Sequence, residues 1–147
     1  MATNFLWSNY NTAADAITTG MNSLASAAGI DSAAITLTNN DQYALISVVL
    51  ATLNIASTSA YVSIYLIPQN ADGSTYPNYT TGATPAIPAH YLAKNILFNV
   101  LNGAQTQSAI IALPFPDPFK LVIVNNLGVA MNASGNKVSY RTLDDSY

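Results

Sequence analysis

Positive charge is missing from most of this chain: the first basic side chain is Lys94, and only Lys120, Lys137 and Arg141 follow it. Glutamate is absent. Charged residues make up 7% of the whole, where a soluble domain usually carries about 25%. Without a basic stripe there is nothing to displace counterions from phosphates, which excludes nucleic acid as a partner. There is no cysteine, so disulfides, thiol catalysis and thiolate metal sites are excluded together. His90 is the only histidine, and no second His, Cys or Glu is available to complete a metal site or an acid–base pair with it. No phosphate-binding glycine loop, dinucleotide fingerprint or G-x-S-x-G elbow occurs. Asp72-Gly73, Asp117 and Asp144-Asp145 are expected to serve as turns, corner and tail rather than cation ligands. These absences predict no cofactor, no metal and no enzymatic activity. Long apolar runs are missing too: Ala44–Ala56 is the longest and is interrupted by Ser47, Thr52 and Asn54, short of the roughly 20 residues a membrane helix needs. The N-terminus has neither a charged n-region nor a compact apolar h-region, so the expectation is synthesis in a reducing cytoplasm.

What replaces charge is Asn, Thr, Ser and Gln. A surface wetted by uncharged groups meets another protein at little electrostatic penalty, because few ions must be stripped of water. The 147 residues suit one core, and a hydrophobic fraction of 50% excludes general disorder.

Short β-branched and aromatic runs divided by turn residues predict an all-β fold, with strands at Ala34–Thr38, Tyr43–Leu53, Tyr61–Ile67, Asn95–Leu101, Gln107–Leu113, Phe119–Asn125, Gly128–Asn132 and Lys137–Thr142. In Tyr61–Ile67 the alternation puts Val62, Ile64 and Leu66 on one face and Tyr61, Ser63 and Tyr65 on the other. Tyr43–Leu53 and Phe119–Val124 are apolar on both faces, so each is expected to be central or covered. Asn39-Asn40-Asp41, Asn125-Asn126 and Ser134-Gly135-Asn136 read as hairpin turns between successive strands. Pro68–Ala89, rich in Pro and Gly, reads as a long functional or partner-ordered loop, and Pro114–Pro118 as a stiff corner capping an edge strand.

Residues 1–29 are expected to form an N-terminal arm ahead of a β-sandwich domain over 30–147. Within the arm, Thr12–Gly29 supports either a short helix, with Ile17, Met21, Leu24 and Ala28 on one face, or an extended, strand-containing segment. Phe5, Trp7 and Tyr10 cluster where chain ends normally fray, and such aromatics dominate interface hot spots. They are therefore candidate partner-binding residues, unless Trp7 folds back on its own sheet. Tyr76 and Tyr79 in the long loop pose the same choice between partner contact and a lid on the domain's own core.

The run Pro118–Asn126, the following Leu127-Gly128-Val129-Ala130-Met131-Asn132-Ala133-Ser134-Gly135-Asn136, and Val138-Ser139-Tyr140 resemble small virion structural proteins of tailed bacteriophages. Tyr61–Ile67 followed by Gly73-Ser74-Thr75-Tyr76-Pro77 is similar to them as well, so the resemblance spans roughly residues 30–142. It implies a jelly-roll-like β-sandwich of about eight strands acting as a capsid decoration, or cement, protein on the outer surface of the virion. It further implies a homotrimer seated on the major capsid protein and in contact with neighbouring copies of itself, with no nucleic-acid or membrane partner. A second reading is a tail-fibre or adhesin-type sandwich binding a host receptor or glycan, with Tyr65, Tyr76, Tyr79 and Trp7 stacking on sugars.

Overall fold

The computed structural model describes residues 10–37, 41–113 and 118–144. Eight strands build it: β1 (Ala14–Ile17), β2 (Gly29–Asp31), β3 (Asp41–Ile55), β4 (Tyr61–Pro68), β5 (Leu92–Leu97), β6 (Leu101–Ala112), β7 (Phe119–Asn126) and β8 (Lys137–Asp144). They form two antiparallel four-stranded sheets, ordered β1-β8-β3-β6 and β2-β7-β4-β5. Every strand pairs with its mirror in the chain: β1 with β8, β2 with β7, β3 with β6, β4 with β5. That nesting is one long antiparallel ribbon folded over itself, the jelly roll, and the lateral pairings β8–β3 and β7–β4 close it. The expected β-sandwich of about eight strands is the fold.

Period-2 patterning decides which side chains meet between the sheets. The first sheet contributes Ile17, Ala44, Ile46, Val48, Leu50, Ile111 and Val138, and the second Val62, Ile64, Leu66, Ile96, Leu121 and Ile123. Fully buried Ile and Leu side chains of this kind each stabilise by about 1.5–3 kcal/mol relative to exposure.

Several local expectations are corrected. Gly128–Asn132 is a turn segment, not a strand, because the Asn125 side chain holds it: Nδ2 donates to the carbonyls of Val129 (2.9 Å), Leu24 (2.9 Å) and Ala25 (3.1 Å), and Oδ1 accepts from the Leu127 N–H (3.0 Å). Of the expected strand Ala34–Thr38, the described residues 34–37 give only an isolated bridge, Ile35 to Phe119. The Asn125-Asn126 step belongs to β7, and its successor β8 lies in the opposite sheet, so no hairpin forms there. Among consecutive strands only β4 and β5 pair.

The region expected as an arm lies along the sandwich in its described part. Tyr10 bridges Leu143, the Asn11 N–H donates to the Thr142 carbonyl (2.9 Å), and β1 runs antiparallel to β8. Thr12–Gly29 takes the extended alternative, with one 3-10 turn at Thr19–Met21 that buries Met21. Positive φ at Ser23 and Ala27 marks the tight path that carries the chain from one sheet to the other.

Candidate interaction surfaces

The two outer faces of the sandwich differ in kind. On the second sheet, Ile67 and Val122 lie outside the core cluster yet are fully buried, on the face where Tyr76, Tyr79 and Gly82 of the following loop make their contacts. A short polar cluster pins that loop. The Tyr79 hydroxyl donates to Asp31 Oδ2 on β2 (2.9 Å), Lys120 Nζ on β7 reaches the same oxygen (3.2 Å), and Lys120 lies 5.1 Å from the centre of the Tyr76 ring. Burial, and then the bond to the Asp31 carboxylate, push the Tyr79 phenol well above its ordinary range. Gly82 and Gly29 exchange two backbone hydrogen bonds of 2.8 Å, so the loop also extends the β2 edge. Gly82 has φ +90, a conformation only glycine adopts without strain. At the loop's start Asp72 accepts from the Thr75 hydroxyl and from the Thr75 and Ser74 N–H groups (2.9 Å each), which hold its carboxyl down to about 2. Tyr76 and Tyr79 thus face their own sheet.

Among the described residues, the outer face of the first sheet has no such cover. Paired rows run across it: Tyr10, Leu143, Tyr43 and Ala112; then Arg141, Leu45 and Ile110; then Asp15, Ser139, Ser47 and Ser108; then Lys137, Val49 and Thr106. Tyr10 and Tyr43 are each 42% exposed and Ile110 is 56% exposed. The Arg141 guanidinium sits 4.5 Å from the centre of the Tyr10 ring, a cation–π contact that leaves the ring half open. Below this aromatic end, hydroxyls tie the strands together: Ser47 to Ser108 (2.7 Å) and Ser139 to Asp15 (2.6 Å). The Asp15 carboxyl is held below its usual range by the Ser139 hydroxyl and Lys137. At the far end of the sandwich, Leu97, Val100 and Leu101 stand exposed around the β5–β6 connection.

The structure therefore brings Tyr10 into a surface with Tyr43, Leu45 and Ile110, three residues that periodicity had assigned to strands but not to a site. Their signal was present: a strand apolar on both faces has one face left over once the core is filled. Phe5 and Trp7 lie outside the described residues. His90 is exposed and packs on Tyr91 (ring centres 4.0 Å apart), and no cluster of three potential metal ligands occurs among the described residues.

Two adjoining cavities open on the second sheet beside the pinned loop. One, about 430 Å³, is lined by Tyr61, Ser63 and Tyr65 of β4, Val124 and Asn126 of β7, and Pro85 of the loop wall, among others. The other, about 310 Å³, shares Ala27, Tyr61 and Asn126 with it and continues past Ser57 and Ser59.

No protein-family model matches the chain, and no curated protein matches it. Among solved structures it is similar to one described as a carbohydrate-binding module of the β-sandwich superfamily with promiscuous specificity, at 12% identity and a TM-score of 0.36. That match covers 97% of this chain and 57% of the other, so this chain spans little more than half of that structure's length.

Proposed function

We propose that this protein is a structural component of a virion, a capsid decoration protein attached to the shell through protein–protein contacts. The observation that carries the reading is the contrast between the outer faces. One is closed by the chain's own loop, while on the other, among the described residues, Tyr10, Tyr43 and Ile110 stand exposed beside Arg141 and a half-buried Leu45. Tyr and Arg are the residue types that dominate contact energies, and the hydroxyl rows beside them suit a polar, hydrogen-bonded rim. The jelly-roll strand order is one that capsid proteins use, though lectins use it as well. Low charge limits repulsion among many copies packed side by side. The face works by burial, so no reaction is assigned to it. The trimer and the outer-surface location rest on the resemblance in the C-terminal half.

Copy number tests the reading. Gel densitometry of purified particles is expected to find this chain near the copy number of the major capsid protein. A small number of copies per particle would contradict decoration and favour a tail-tip adhesin. Light scattering of the isolated chain is expected to give a trimer mass.

A further inference from the structure

The geometry points to a second site, independent of the capsid reading: a groove for a neutral oligosaccharide along the outer face of β4. Its floor is Tyr61, Ser63 and Tyr65, alternate residues of one strand, so the Cα atoms of the two tyrosines stand about 13 Å apart with a buried Ser63 between them. The two cavities join at Tyr61 and Asn126, which makes the space long rather than round. A linear chain of rings fits such a shape better than a compact metabolite.

Lining chemistry narrows the ligand. No Asp, Lys, Arg or His borders either cavity. A charged ligand would lose water there without gaining a counter-charge, so the occupant is neutral. Hydroxyls and amides are plentiful instead. Asn126 Nδ2 donates to Ser63 Oγ (3.1 Å), which donates to Asn95 Oδ1 (2.9 Å), an ordered relay across three strands. Sugar hydroxyls donate and accept, as these groups do, while the apolar faces of sugar rings suit tyrosine rings that are apolar in body and polar at the tip. Extended polypeptide is disfavoured, because β4 is already paired on both sides by β7 and β5 and offers no backbone edge. The wall is fixed in place: Pro85 packs on Gly29, where a Cβ would approach within 3.1 Å of it.

The test is a nuclear magnetic resonance titration of the full isotope-labelled chain. The probes are linear neutral oligomers of glucose, xylose and N-acetylglucosamine, with a uronic-acid oligomer as the charged counterpart. At least one neutral oligomer is expected to shift amides at 61–65, 84–87 and 124–126. Its affinity should hold as salt rises from about 0.1 M to about 1 M, where the Debye length falls from about 10 Å to about 3 Å. Tyr61→Val and Tyr65→Val, which keep strand propensity, are expected to weaken binding by about tenfold or more, and Asn102→Ala on the opposite sheet to leave it unchanged. The proposal is overturned if no neutral oligomer shifts those amides, if the shifts map elsewhere, or if the uronic oligomer binds more tightly and is released by salt. The wild-type shift map decides the matter even where a variant fails to fold.

Discussion

Asn125 is fully buried, yet all its polar atoms are engaged: three carbonyls and one N–H converge on a single amide that locks residues 24–25 to the turn after β7. Asn136 plays the matching part near β8, donating to the Asn132 carbonyl (2.7 Å) and accepting from the Ala51 N–H (3.0 Å) where β3 carries a bulge. Asn125→Ala strands several of these groups without water. It is expected to lower unfolding stability by about 2–4 kcal/mol, each orphaned buried group costing about 1–3. Urea unfolding with an unchanged slope checks this, and a loss under about 1 kcal/mol would show that water replaces the side chain. Tyr79 gives a pH signature. Its phenol is raised in the folded chain, so the loop contact is fully present below the ordinary tyrosine value of about 10 and is lost as pH climbs through the folded value. Ultraviolet titration is expected to show late-ionising tyrosines, Tyr140 being raised by burial as well, and to lose one late step in Tyr79→Phe; a late phase of unchanged amplitude in that variant would refute the burial of the Tyr79 hydroxyl.

Among the elements, the loop over residues 69–91 is held by a few polar contacts rather than by the main core. The Asp31–Lys120 pair is about a quarter to a third exposed, so its loss is expected to shift global stability by no more than about 1 kcal/mol. Lys120→Met is nevertheless expected to speed amide exchange in the loop while the melting temperature stays nearly constant. Equal exchange in both proteins would mean that the Tyr79–Asp31 bond and the Gly29–Gly82 bridge hold the loop without Lys120. The strands that read clearly from sequence, β3, β4, β7 and β8, are those with long period-2 runs. β1 and β2 were silent because four and three residues give no period, and ADAI carries little β propensity. Phe119–Val124 reads as apolar on both faces because its outer face lies under the loop. Tyr43–Leu53 reads the same way, but there no described residue covers the outer face, and periodicity alone does not distinguish a covered face from a docking face. The strand pairings were illegible for a different reason. Mirror pairing joins Ala14 to Tyr140, and nothing local to either residue records its partner.

For the whole molecule, the same nesting that hides the topology brings β1 and β8, the first and last described strands, side by side in one sheet. Truncation therefore separates assembly from folding. Removing residues 1–9, with Phe5 and Trp7, is expected to leave the melting temperature unchanged and to weaken attachment to particles. Removing residues 1–17 also deletes β1 and the buried Ile17, and is expected to lower the melting temperature by several degrees. If the shorter deletion already melts early, Trp7 belongs to the domain's own packing.

Sedimentation of the protein with particles stripped of their native copy tests most directly whether the open face of the first sheet is the attachment surface. The double variant Tyr43→Ser/Ile110→Ser keeps the buried face of both strands, so it is expected to fold with a melting temperature close to wild type. It should nevertheless bind particles at least about tenfold more weakly, since central aromatic and aliphatic anchors each contribute upward of about 1 kcal/mol. Undiminished binding by the folded double variant would contradict the assignment and move the contact to another surface.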